Sequence, residues 1–120
     1  MELITAYGPP PSPARVDPPT REPFRIALVQ ERWHPDPEEH EEALAAGVRM
    51  AAAEGARLVC LQELTLSPYF AVTAGGPDEA GASPESIPDG PTTSFARRVA
   101  ASTAVHVHAS LYETAPDGGL

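Results

Sequence analysis

Arg57-Leu58-Val59-Cys60-Leu61-Gln62-Glu63 is the stretch on which the fold turns. Leu58 to Leu61 are consecutive apolar residues with no polar alternation, which predicts a strand covered on both faces, as in parallel sheets. Upstream, Asp36-Pro37-Glu38-Glu39 combines three helix-start signals. Asp36 is a capping residue, Pro37 suits the first helical position, and Glu39 stands where a capping box needs it. The first-turn carboxylates also face the positive end of the helix dipole. Leu44, Val48, Ala51 and Ala52 then fall on one helical face, and Gly55 is placed to stop the helix. Before it, Phe24-Arg25-Ile26-Ala27-Leu28-Val29-Gln30 is short, branched and apolar, a second strand. Strand, helix and strand in this order form a βαβ unit with a right-handed crossover.

Downstream, residues 75–91 are rich in Gly and Pro and predict a loop. Asp89-Gly90-Pro91-Thr92 closes it and opens a second helix with Phe95, Val99, Ala96 and Ala100 on its inner side. Val105, Val107, Ala109 and Leu111 alternate with His106, His108, Ser110 and Tyr112, a third strand. Pro116-Asp117-Gly118-Gly119 is turn chemistry that calls for a returning strand, yet the sequence stops at Leu120. Residues 24–120 are therefore expected to be the N-terminal part of a larger α/β domain. Residues 1–23 hold seven of the fifteen prolines and predict a disordered, polyproline-like leader.

Composition narrows the function classes. The chain has 120 residues and a net charge of −9, against a surface made to grip phosphate backbones. Its eight basic residues are all arginine, and its one cysteine, Cys60, rules out an internal disulfide or a Cys-rich zinc site. The apolar runs are too short for a membrane helix, and Met1-Glu2-Leu3-Ile4-Thr5 lacks a secretory signal's pattern. A cytoplasmic chain with neither nucleic-acid nor membrane partners is expected. A dinucleotide-binding domain is disfavoured, because no Gly-x-Gly-x-x-Gly follows the first strand.

In open α/β sheets reactive groups gather at the carboxyl ends of strands, and Glu63 directly follows the apolar run there. Partial desolvation at that junction would move a carboxylate towards general-base duty. A solvated loop Glu or a partner for an arginine is the plainer alternative.

Several strings in register resemble the nitrilase (carbon–nitrogen hydrolase) superfamily. They are Arg25-Ile26-Ala27-Leu28-Val29-Gln30, Leu61-Gln62-Glu63-Leu64 with Ser67-Pro68-Tyr69-Phe70, Asp89-Gly90-Pro91-Thr92, and Ala109-Ser110-Leu111-Tyr112-Glu113. The branch they look most like is the N-carbamoylputrescine amidase-like one, and the likeness covers residues 24–120. It implies a four-layer α-β-β-α sandwich that hydrolyses amides, N-carbamoyl amines or nitriles without metal or cofactor, often as a homo-oligomer. It also implies a Glu, a Lys and a Cys from three strand ends. Glu63 matches the Glu, which takes the thiol proton so that the thiolate attacks the substrate carbon. The lysine stabilises the oxyanion. Tyr69 and Phe70 fall where the family lines its substrate pocket, though packing at the sheet edge would use the same aromatics.

The chain departs from that pattern in having no lysine, and Cys60 precedes the Glu instead of following it. Residues three apart on a strand lie about 10 Å apart and point to opposite faces, so Cys60 is expected to be a core residue. The chain alone is then expected to be inactive. A non-catalytic α/β interaction module derived from the same fold is the competing reading. His106 and His108 share a strand face but are expected as packed or hydrogen-bonded imidazoles and not as metal ligands. His34 and His40 are expected in solvent, and Trp33 over the loop after the first strand.

Overall fold

The computed structural model describes residues 1–6, 8, 12–14 and 20–115. The Pro-rich leader expected over residues 1–23 falls partly on residues outside this set, and the turn expected at 116–119 falls wholly outside it. The elements run β1 (Ile26–Leu28), α1 (Pro37–Ala53), β2 (Leu58–Cys60), a 3-10 turn (Phe70–Val72), α2 (Gly76–Ala80), α3 (Pro91–Thr103) and β3 (His106–His108). This is a small α/β domain with a three-stranded parallel sheet in the order β1-β2-β3. No helix among the described residues is long and apolar enough to cross a membrane.

The local signals for α1 act as their chemistry requires. The Asp36 carboxylate accepts the Glu39 N–H at 2.9 Å, and Pro37 opens the helix. At the other end Gly55 takes φ +82°. There the Ala56 N–H reaches the Ala51 carbonyl at 3.0 Å and the Gly55 N–H reaches that of Ala52 at 2.9 Å. That pair of bonds is a Schellman closure, which needs a left-handed residue that only glycine supplies without strain. α3 closes instead on Ala104, a non-glycine at φ +57°.

Both crossovers step the same way across the sheet, and right-handed crossovers then place both helices on one face. α1 and α3 touch each other. A single core joins Leu44, Val48 and Ala51 of α1 to Phe95 and Val99 of α3 over Val59, which is 0 % exposed. Gly47 lets the residue after β1 approach α1, since a Cβ there would lie 2.7 Å from Cγ1 of Val29.

The opposite face of the sheet corrects the expectation that β2 is covered on both sides. The register aligns Ile26 with Leu58 and His106, and Leu28 with Cys60 and His108. Ile26 is 57 % exposed and Leu28 78 % exposed, while Leu58 and Cys60 are half-buried. The unbroken apolar run marks a strand suited to two covered faces, but the described residues put a layer on only one. For the same reason Cys60 is not in the core, and His106 and His108 are exposed instead of packed. Within the segment expected as loop, Gly76–Ala80 forms a five-residue helix. Pro77 presets its first turn, and Gly81 ends it in the left-handed region at φ +72°.

Burying a large aliphatic side chain is worth about 1.5–3 kcal/mol, so the bare Ile26 and Leu28 represent substantial unused stabilisation. The 120-residue chain is expected to bind a hydrophobic dye and to self-associate as its concentration rises. Replacing Ile26 and Leu28 together by Thr should lower the dye fluorescence; an undiminished signal would place the dye elsewhere. Relief of the left-handed cap by Ala104→Gly is expected to raise stability by about 1 kcal/mol, read as a higher urea midpoint.

Candidate functional site

The carboxyl ends of the three strands are laced together. The Leu61 N–H donates to the His108 carbonyl at 2.9 Å, and the Val29 N–H donates to the Cys60 carbonyl at 2.9 Å. Beyond β1, the Glu31 N–H donates to Oε1 of Gln62 at 2.7 Å, tying the first loop to the second. These bonds frame a cleft of about 330 Å³ lined by Gln30, Glu31, Trp33, Gln62, Glu63, Ser67 and Tyr69.

Glu63 stands at this cleft, directly beyond the middle strand, but it is exposed and not partly desolvated as expected. The described residues provide no layer over the cleft mouth. Leu64, the next residue, is buried with φ +53°, a conformation costing a branched residue about 1–2 kcal/mol. Tyr69 lines the same cleft and is 48 % exposed. Phe70 does not line it; its ring lies 5.0 Å from that of Tyr112 at an interplanar angle of 55°. That edge-tilted contact docks the 3-10 turn onto the segment after β3. Glu63 and Tyr69 are thus brought together, while Phe70 serves the packing beside them. Cys60 is neither in the cleft nor on its rim but on the open sheet face.

Two histidines depart from the solvated positions expected of them. His40 is 1 % exposed. Its Nε2 lies 2.9 Å from the Thr65 carbonyl oxygen, and its ring lies 4.5 Å from Trp33. His34 is half-buried, with Glu31 at 3.8 Å and Glu39 at 3.9 Å. The signal for His40 was in the sequence: it precedes Leu44 and Val48 at intervals of four, on the inner stripe of α1. Trp33, itself in the loop after β1, lines the cleft and sets its ring against His40 of α1.

Glu85 escaped sequence reasoning altogether. It is buried, and its carboxylate accepts the Thr92 N–H at 2.8 Å and the Thr92 hydroxyl at 2.7 Å. Thr92 is in the first turn of α3, whose capping residue, Gly90, has no side chain to offer. A Cβ at Gly90 would come within 2.8 Å of Oε2 of Glu85, so the glycine makes room for a cap delivered from elsewhere in the chain. The Glu85 backbone also pairs with the chain after β3, donating to the Tyr112 carbonyl at 2.7 Å and accepting from the Thr114 N–H at 2.8 Å. The carboxylate is therefore committed to the fold. No short-range pattern links residues 85 and 92, which is why their partnership was not legible.

Comparison with protein-family models, with curated proteins and with solved structures returns no match to this chain.

Loss of the Glu85 cap leaves the Thr92 N–H and hydroxyl without their acceptor. Glu85→Ala is expected to destabilise the protein by about 1–3 kcal/mol, read as a lower urea midpoint. Amide exchange should accelerate first in the opening turn of α3.

Proposed function

We propose that these residues form part of a hydrolase acting on non-peptide carbon–nitrogen bonds, with Glu63 as its general base. The proposal includes the nitrilase-like sandwich, in which a second sheet covers the face carrying Ile26, Leu28, Leu58 and Cys60. The observation carrying it is the placement of Glu63 beyond the middle parallel strand, at a cleft it shares with Tyr69. That is where an open α/β sheet presents reactive groups. The bare apolar face supports the sandwich, because it has the composition of a surface meant to be covered.

In the proposed chemistry Glu63 accepts the proton of a cysteine thiol, and the thiolate adds to the carbon of an amide, N-carbamoyl amine or nitrile. A lysine ammonium stabilises the negative charge that collects on the former carbonyl oxygen, or on the nitrile nitrogen. For an amide, the protonated base returns its proton to the departing nitrogen, and water then hydrolyses the thioester by the same base. The chain holds no lysine, and Cys60 precedes Glu63 and lies on the open sheet face away from the cleft, so in this proposal both other groups come from polypeptide beyond these 120 residues. The lack of lysine equally favours a second reading, a non-catalytic α/β module that uses its bare face to bind a partner.

Ammonia release from carbamoyl amines, amides and nitriles by the protein with its downstream coding sequence separates the two. Glu63→Gln is expected to lower kcat by roughly 10²–10⁴, the usual worth of a positioned base. Cys60→Ala should leave kcat unchanged. The 120-residue chain alone should release nothing. Full activity in the Glu63→Gln protein, or downstream sequence without the Lys and Cys, removes the hydrolase and leaves the module.

A further inference from the structure

The turn carrying Glu63 contains a backbone conformation that the chain does not favour by itself, Leu64 at φ +53°. What holds it lies immediately beneath. Thr65 is 0 % exposed, and each of its polar groups is engaged. Its hydroxyl donates to the Gln62 carbonyl at 3.0 Å and accepts the Ser110 N–H at 3.1 Å. Its own N–H donates to the Ser110 carbonyl at 2.9 Å. Its carbonyl lies 2.9 Å from Nε2 of His40. A carbonyl oxygen only accepts, so Nε2 is the donor in this contact, while Nδ1 is buried without a partner. The residues flanking Glu63 and Leu64 are thereby moored to the end of β3 and to the inner face of α1.

We propose that Thr65 and His40 are positioning residues for Glu63, acting as a buried strut that holds its turn in the cleft-facing geometry. This rests on the reading of Glu63 as the base, but it makes its own demands on the molecule. Thr65→Val keeps the shape and removes the hydroxyl, stranding the Gln62 carbonyl and the Ser110 N–H. Thr65→Ser keeps the hydroxyl. His40→Phe removes the donor to Thr65, and His40→Gln restores an N–H near the position of Nε2.

The test uses the full chain and reads two local quantities. One is amide exchange over residues 62–67. The other is carbodiimide labelling of Glu63 relative to the exposed Asp78. Thr65→Val and His40→Phe are expected to speed local exchange about tenfold, the worth of a buried hydrogen bond, with α3 unaffected. The Glu63 labelling ratio should shift in the same two variants, and Thr65→Ser and His40→Gln should restore both readouts. Unchanged exchange and labelling in Thr65→Val and His40→Phe would overturn the proposal, as would Thr65→Ser behaving like Thr65→Val. Nitrogen-15 spectra of the wild-type chain decide the matter even where a variant fails to fold. His40 must be protonated at Nε2, and an Nδ1–H tautomer overturns the strut. Its failure is distinguishable from failure of the hydrolase reading. In the complete protein, a fully active Glu63→Gln beside an altered Thr65→Val labelling pattern removes the catalytic role and leaves the strut. A dead Glu63→Gln beside an unmoved Thr65→Val does the reverse.

Discussion

Parallel pairing of β2 between β1 and β3, with Val59 sealed beneath both helices, is the constraint from which the rest of the molecule follows. Two crossovers that step in one direction commit α1 and α3 to one face of the sheet. The core then collects on that side, where Leu44, Val48, Phe95 and Val99 meet the inward residues of the strands. The outward residues have no such partner among the described elements, and Ile26 and Leu28 stand in solvent. One-sided burial explains at once the half-buried Cys60, the exposed His106 and His108, and the open position of Glu63.

The loops that close this arrangement are held by polar side chains used sparingly and buried. Glu85 caps α3 across seven residues and pins the chain after β3. Thr65 joins the end of β2 to the end of β3, and His40 joins that junction to α1. Glu85 and Thr65 each meet several partners, which offsets the cost of taking polar atoms out of water, whereas His40 meets Thr65 through Nε2 and leaves Nδ1 buried without a partner. The candidate site stands on this framework. Its members Glu63 and Tyr69 are exposed at the cleft, and the buried polar contacts lie on the residues below them.

Legibility followed the range of the interaction. The Asp36 cap, Pro37, and the Gly55 stop act within one helical turn, and local chemistry was enough to place α1. Gly90-Pro91-Thr92 likewise placed the start of α3. The residues 75–91 misled in part: their glycines and prolines mark turns, but Pro77 and Gly81 also bracket a short helix. His40 was misjudged because a titratable residue near a helix start reads as solvated, although its spacing from Leu44 put it on the inner stripe. Of the site, Glu63 and Tyr69 were found through position and resemblance, whereas the separate fate of Phe70 depended on Tyr112, far along the chain.

By itself, then, the amino-acid order determined α1 and α3, the three strands, a parallel or mixed sheet joined by crossovers, and the carboxylate at the end of the middle strand. Those features arise from periodicity, capping and turn chemistry, which act among near neighbours. Tertiary structure alone decided which face of the sheet is covered and which histidine is buried. It also decided that Glu85 caps a helix and that the buried Thr65 hydroxyl meets the Gln62 carbonyl beside Glu63. These outcomes depend on groups distant in sequence meeting in a dry interior, where a hydrogen bond counts for more and a missing partner costs more.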